Sequence, residues 1–380
     1  MLYRSTRGEE GIHAQEVLQR GLARDGGLYL PETMPHLDLR NYNRHGLPSY
    51  PGLANDVLSQ FTGSMLKAEA LEAILTESYA QFDHACVAPL CQIGPNAWLM
   101  ELFHGPSLAF KDYALQVLGR LFNHMLARSG DRAVILGATS GDTGSAAIAA
   151  CAGLQNVEVV ILFPQDGPSN LQKRQMTVPA FEAENVHPLA VNGSFDDCQA
   201  LVKKAFTDPD LGSLALTAVN SINWFRIAAQ TVYYVQAALA LGATHRRIQF
   251  AVPSGNFGNA YAAHVARRMG VPIDPVIIGT NHNDALTRFF TEGTLQAQKP
   301  RPSLSPSMDI QIPSNLERYM FEILDGDAEK CADWMQRLRD RGHIKIGKGD
   351  LKEAQSHFQA FGVSDDETLE TIRNVYHATG

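Results

Sequence analysis

The sequence predicts an α/β protein in which parallel sheets are covered by helices on both faces, with a separate N-terminal lobe. Three observations carry this prediction. Short apolar runs rich in β-branched residues, RAVILG (132–137), VEVVILFP (157–164) and VHPLAVNG (186–193), alternate with helical patterns. Runs with no polar face belong to strands buried on both sides, the ordinary state of a parallel sheet. Each run also enters its helix through a short polar or glycine-rich turn, the rhythm of strand–crossover–strand units. By contrast, roughly the first 85 residues lack this rhythm.

The elements follow in order. Residues 1–85 hold turn-rich text, DGGLYLPETMPHL and then GLPSYPGLAND, before one helical stretch, LKAEALEAILTESYAQF. There Leu66, Ala70, Leu71, Ile74 and Leu75 recur at helical spacing and predict one buried face. Residues 86–110 and 205–380 are read as a large domain, and 111–204 as a smaller, mobile α/β domain. ATSGDTGSAAIAACAGL follows the first strand as a turn and a small-residue helix. SFDDCQALVKKAF follows the third, with Ser194 placed to cap it. RIQFAVPSGNFGNAYAAHVARRMG (247–270) and DPVIIGTNHNDALTRFF repeat strand, turn and helix. KPRPSLSPSMDIQIPSN (299–315) is rich in proline and serine and reads as an extended surface segment. Helical pattern returns at LERYMFEIL, and SDDETLETIRNVYHATG starts as a capped helix and ends on a glycine of C-cap type.

Composition narrows the function classes. The 380 residues are 45% hydrophobic and 19% charged, which places the chain among folded globular proteins. A net charge of −8 disfavours nucleic acid as a partner, yet leaves room for a small anion held by a local field. Five scattered cysteines (Cys86, Cys91, Cys151, Cys198, Cys331) lack a CxxC pair or zinc-like spacing, so reduced thiols, no metal and a cytoplasmic setting are expected. The N-terminus has no signal-peptide core, and no apolar run approaches the ~20 residues of a membrane helix.

In parallel sheets, ligands bind in the loops at the carboxyl ends of strands. Gly255–Asn256–Phe257–Gly258–Asn259 is such a loop: two glycines permit a tight turn, and the helix start adds inward N–H groups suited to a phosphate. A turn with no ligand explains the same residues. Ala138–Thr139–Ser140–Gly141–Asp142–Thr143–Gly144 has three hydroxyls at a helix start, suited to a carboxylate or phosphate, or simply to capping. VNSINWFRIAAQTVYY places Asn220, Ser221 and Arg226 near another helix start, where Arg226 serves either a ligand or an ion pair. Lys111, in FHGPSLAFKDYALQ, follows an apolar run and opens a helix. It is either a lysine snorkelling to water or a desolvated amine able to form a Schiff base. Asp112 beside it suits the first turn of a helix electrostatically.

Seven ordered stretches carry a resemblance: FHGPSLAFKD, GATSGDTGSAA, QKRQMT, VNSINWFRI, VPSGNFGN, NDALTRFF and SPSMDIQIPSNLER. Together they resemble the threonine synthases, pyridoxal-phosphate enzymes of the tryptophan-synthase-β fold (fold type II), and the likeness runs from DGGLYLP to the end of the chain. The resemblance implies two parallel-sheet domains, the large one binding pyridoxal 5'-phosphate. It implies that Lys111 holds the cofactor as a Schiff base and later shuttles protons. Gly255, Asn256, Phe257, Gly258 and Asn259 would bind the cofactor phosphate, and Asp142 would stand beside the pyridine 3-oxygen. Thr139, Ser140 and Thr143 would take the substrate carboxylate, and Asn220, Ser221 and Arg226 its phosphate. The implied reaction converts O-phosphohomoserine and water to threonine and phosphate, in a monomer or homodimer. A related phospho-lyase forming 2-oxobutyrate, or a non-catalytic relative, are the alternatives. Members of this type continue with DPHTA-like and TAHPAKF-like segments, the second supplying a hydroxyl for the pyridine nitrogen; neither occurs in these 380 residues.

Overall fold

The computed structural model describes residues 1–217 and 221–380. The chain forms two compact units. One comprises Met1, His13–Gly21 and Gly46–Ala237; the other comprises Leu2–Ile12, Leu22–His45 and Ala238–Gly380. The cut read from the sequence at 85, 110 and 204 groups residues differently: here the helices Tyr50–Thr62 and Ala68–Tyr79 fall with the residues around Lys111.

The first unit is built on a four-stranded parallel sheet. Its order is Val186–Val191, Val157–Pro164, Ala133–Ala138 and Leu216–Thr217. The three apolar runs therefore form neighbouring strands, with Ile135 opposite Val159 and Val159 opposite Val186. Val157, Val159 and Ile161 are buried, as residues of a two-sided interior sheet should be. Ser194 caps the Phe195–Thr207 helix by accepting the Asp197 amide, and the Asp197 side chain accepts the Ser194 amide in return.

Two helices of this unit set the geometry of the later site. Asp112–Ser129 buries Tyr113, Leu115, Leu118, Leu121 and Met125. It runs close against Asp142–Cys151 at Gly119, where a Cβ would stand 2.9 Å from the Ala150 carbonyl. Lys111 and Asp142 stand at the starts of these two packed helices. Of the predicted apolar face, Leu71, Ile74 and Leu75 are buried in the Ala68–Tyr79 helix, Ala70 is half-buried, and Leu66 is buried ahead of the helix rather than in it.

The second unit has a three-stranded parallel sheet, ordered Ala251–Pro253, Val276–Thr280 and Phe358–Gly362. The first strand is shorter than RIQFAVP led one to expect; Ile248 makes only an isolated bridge to Ile273. Phe257, Phe290, Tyr319 and Phe358 cluster with ring centroids 5.0–6.1 Å apart, forming an aromatic core behind the glycine loop. In the same unit, Leu2–Ser5 pairs antiparallel with Tyr29–Pro31, and Glu317 accepts bonds from Thr6 and Arg7.

Candidate functional site

Lys111 sits at the start of the Asp112–Ser129 helix with its amine turned inward. Its side chain is 13% exposed, which excludes the snorkelling lysine. Nζ donates to Asp142 Oδ1 at 2.8 Å and to Thr143 Oγ1 at 2.8 Å. Burial lowers the amine's pKa below the ordinary lysine range; Asp142 opposes the shift, and the charge of Arg226 adds to it. The result is a desolvated amine held in one direction by a carboxylate and a hydroxyl.

Arg226 lies in the first turn of the Trp224–Ala240 helix and is 4% exposed. Its Nε and Nη1 have no hydrogen-bond partner. Burial pushes the guanidinium down to about 10 against the pull of Asp142. A buried cation with open donors is costly to the fold, and it fits an anion brought in by a ligand. The structural ion pair weighed from the sequence is absent among the described residues; Asp142 is instead paired with Lys111.

The hydroxyl loop behaves unequally. Thr139 is buried, and its hydroxyl accepts the amides of Gly141 at 3.0 Å and Gly144 at 2.9 Å while donating to the Gly141 carbonyl. It therefore braces the loop. Thr143 is engaged by Lys111, and Ser140 is exposed. The helix begins at Asp142 after Gly141, which has no side chain to cap it; the Thr139 hydroxyl takes the first-turn amide of Gly144 instead, so Thr139 does serve as a cap. Ser221 is half-buried; Asn220 lies outside the described residues.

In the other unit, the Gly255–Asn259 loop leads from the Ala251–Pro253 strand into the Gly258–Arg268 helix. A Cβ at Gly255 would stand 2.8 Å from Met308 Cα, so only glycine fits that crossing. Phe257 adopts φ +63°, a left-handed conformation rare for a bulky residue, and is fully buried in the aromatic cluster that holds it there. Asn256 Oδ1 accepts the Ser314 amide, and Asn259 bridges the strand end to the helix through Ser254, Ala260 and the Pro253 carbonyl.

The 299–315 segment runs largely at the surface, as its composition predicts, and it is also anchored inward. Asp309 Oδ1 accepts Asn281, Asn283 and Ser303, and Gln311 donates to Asn283. These contacts set the Met308 backbone against Gly255. The bonds to Asn281 and Asn283 join residues 26 or 28 positions apart, and no sequence period marks such a pairing. The described residues contain no cluster of His, Cys, Asp or Glu able to hold a metal, and no helix long and apolar enough to cross a membrane.

Within the first unit, the inward amine suits an aldehyde and the orphaned buried guanidinium suits an anion; within the second, a glycine loop at a helix start suits a phosphate, the groups of a phosphorylated aldehyde cofactor. Comparisons with known proteins agree. The family described as pyridoxal-phosphate dependent enzyme matches residues 88–348, and threonine synthase N terminus matches 2–79. The chain is 46% identical to threonine synthase of Pseudomonas aeruginosa, covering 100% of this chain and 81% of that one. It is 38% identical to threonine synthase of Saccharomyces cerevisiae, covering 100% of this chain and 79% of that one. Among solved structures, PLP-bound threonine synthase from Brucella melitensis superposes with a TM-score of 0.97 at 46% identity, covering 100% of this chain and 82% of that one. The yeast enzyme gives 0.93 at 38%, covering 99% of this chain and 79% of that one.

Proposed function

The chain belongs to the threonine synthase family of pyridoxal-phosphate enzymes, and on that premise we propose how its residues divide the work. The family reaction converts O-phosphohomoserine and water to threonine and phosphate, by loss of phosphate from Cγ and addition of water at Cβ. Bound pyridoxal phosphate supplies the electron sink for carbanion chemistry next to the substrate amine.

The residues of this chain do the rest. Lys111 would hold the cofactor, and its amine takes the proton from Cα and later returns it. Its burial, which lowers the pKa, makes the free amine accessible nearer neutral pH. Asp142 keeps Nζ aimed and would help hold the cofactor. Thr143 is released as Lys111 moves away, and with Ser140 and the amides at the 142–151 helix start it takes the substrate carboxylate. Thr139 shapes that loop. Arg226 and Ser221 take the substrate phosphate, with Asn220 assigned to the same task by resemblance. The Gly255–Asn259 loop takes the cofactor phosphate through its N–H groups. Residues 111–204 form the part that moves to shut out water, and the protein works in the cytoplasm as a monomer or homodimer.

The observation that carries this reading is the buried Lys111 amine, 2.8 Å from both Asp142 and Thr143. NMR of the products from O-phosphohomoserine tests it. Threonine and phosphate in equal amounts are expected; 2-oxobutyrate and ammonia instead of threonine sink it.

A further inference from the structure

Lys111 is delivered to its partners by a short, unusual piece of backbone. Leu108 adopts φ +62°, a left-handed conformation for a branched residue that is largely exposed. Such a conformation persists only where the surroundings enforce it. Its own side chain does not, since it projects into solvent. The enforcement comes from the next residue after the lysine.

Asp112 is fully buried, yet its carboxylate forms no salt bridge among the described residues. It folds back on the segment that precedes it. Oδ2 accepts the Ser107 amide at 2.8 Å and Oδ1 accepts the Ser107 hydroxyl at 2.7 Å, while the nearby Ala109 backbone also favours the charged form. Gly105 lies so close that a Cβ there would stand 2.5 Å from the Asp112 Cβ and Oδ2. Gln175 closes the ring from outside by donating to the Ser107 carbonyl at 2.8 Å. Residues 105–112 are thus tied into one closed turn, with Lys111 as its exit.

An acidic residue in the first turn of a helix is common and favours the helix dipole. That explanation asks for an exposed carboxylate near the helix amides. Here the carboxylate is removed from water and spends its acceptors on residues upstream of the lysine, not on the helix. We propose that Asp112 is a positioning residue, its carboxylate fixing the 105–111 turn so that the Lys111 amine reaches Asp142 and Thr143. It touches neither partner itself and acts through the lysine backbone.

The proposal rests on Lys111 being the cofactor lysine, so the test checks that first. Pyridoxal phosphate is added to the cofactor-free protein, trapped with borohydride, and the modified peptide is mapped. In wild type the label falls on Lys111; a label elsewhere removes the reading of Lys111 and the proposal with it. The second arm uses Asp112→Asn, which keeps the shape but replaces one acceptor by a donor. Labelling of Lys111 slows by about tenfold or more, equivalent to the loss of one charge-assisted hydrogen bond. The pH midpoint of the visible band of lysine-bound cofactor moves down by about one unit, because Nζ leaves the carboxylate of Asp142. Thermal stability stays at or above that of wild type, and kcat falls while KM for the phosphorylated substrate holds. Ser107→Ala, which removes one of the bonds and little else, gives the same shifts at smaller size. If folded Asp112→Asn labels Lys111 at the wild-type rate with an unmoved midpoint, the proposal fails. Should that variant not fold, an unchanged rate and midpoint in Ser107→Ala overturn it equally.

Discussion

The region around Lys111 and the region around the Gly255–Asn259 loop prepare for a ligand in opposite ways. The first buries charge and leaves it partly unserved: Arg226 has two open donor nitrogens, and the Lys111 amine is desolvated. The second leaves its polar side chains served. Asn256, Asn259, Asn281, Asn283 and Asp309 all bond within the fold, and the specialisation lies in backbone, at Gly255 and at the left-handed Phe257. Unserved buried charge costs stability and is recovered when a ligand arrives. Fixed backbone costs little once packed, and it tolerates no added atom. Substitutions in the two regions should therefore move activity the same way and stability in opposite directions.

The sharpest break comes from Lys111→Ala. Phosphate release should fall by about a thousandfold or more, since both covalent attachment and proton transfer are lost. Borohydride trapping should leave no label at this position.

Arg226→Met is the next largest. KM for the phosphorylated substrate should rise about a hundredfold, near the ~3 kcal/mol of a charge-assisted hydrogen bond. The melting temperature should rise as well, because a buried cation lacking full partners gives way to an apolar side chain of similar length. Arg226→Lys should not restore binding, as an ammonium cannot reproduce the paired donors of a guanidinium. A fall in melting temperature for the methionine variant would break the contrast drawn between the regions.

Gly255→Ala tests the other side. The new Cβ meets Met308 Cα at 2.8 Å, a clash with backbone that cannot rotate away. Stability should fall by about 1–3 kcal/mol, the ordinary cost of overpacking. Affinity for pyridoxal phosphate, followed by absorbance titration, should drop about tenfold as the loop shifts. An alanine variant as stable as wild type would show that the segment around Met308 yields, and that the loop is less fixed than its contacts imply.

The same contrast governs what could be read in advance. Strands 133–138 and 157–164 were legible because burial leaves continuous apolar runs; 186–191, read as a third buried strand, is an edge strand with only Val186 buried, and its place in the strand–helix rhythm is what marked it. Gly255 was legible because a glycine between a strand and a helix announces an unusual backbone. Lys111 was ambiguous alone, since snorkelling and desolvated lysines share the same neighbours in sequence. Its company of loops, and the resemblance they carry, decided it. Asp112 was read only as a helix-start residue, because its bond to Ser107 runs backward through an irregular turn with no period. Asp309 was missed for a related reason: its partners Asn281 and Asn283 lie on a distant loop, and its own segment has the composition of a surface strap. The commitment of the Thr139 hydroxyl to its own loop was equally hidden, because a threonine that braces and one that binds look alike in sequence.

Asp112 yields the smallest effect and the finest test, because it belongs to the charge-burying region while doing backbone work. Burial raises its carboxyl from the ordinary 3.8 to about 6, against the Ser107 bonds and the Ala109 backbone, which favour the ionised form. The native state therefore holds this proton more tightly than the unfolded chain does. Where the native state binds more protons, stability falls as pH rises. The contribution is fully present below about pH 4, declines through pH 6, and is gone above it. Its full size is roughly 3 kcal/mol. Asp112→Asn removes the titration, so the difference in urea midpoint between wild type and variant should shift steadily between pH 4 and pH 6.5 in the variant's favour. Part of that gain is offset because asparagine offers Ser107 one acceptor oxygen where the carboxylate offers two, and the hydroxyl must turn from donor to acceptor, at a cost of about 1 kcal/mol. Parallel midpoint curves across this range would mean that the carboxylate is as comfortable folded as unfolded. Asp112 would then belong with the well-served polar groups of the glycine-loop region, and the line between the two regions would run through the helix start itself.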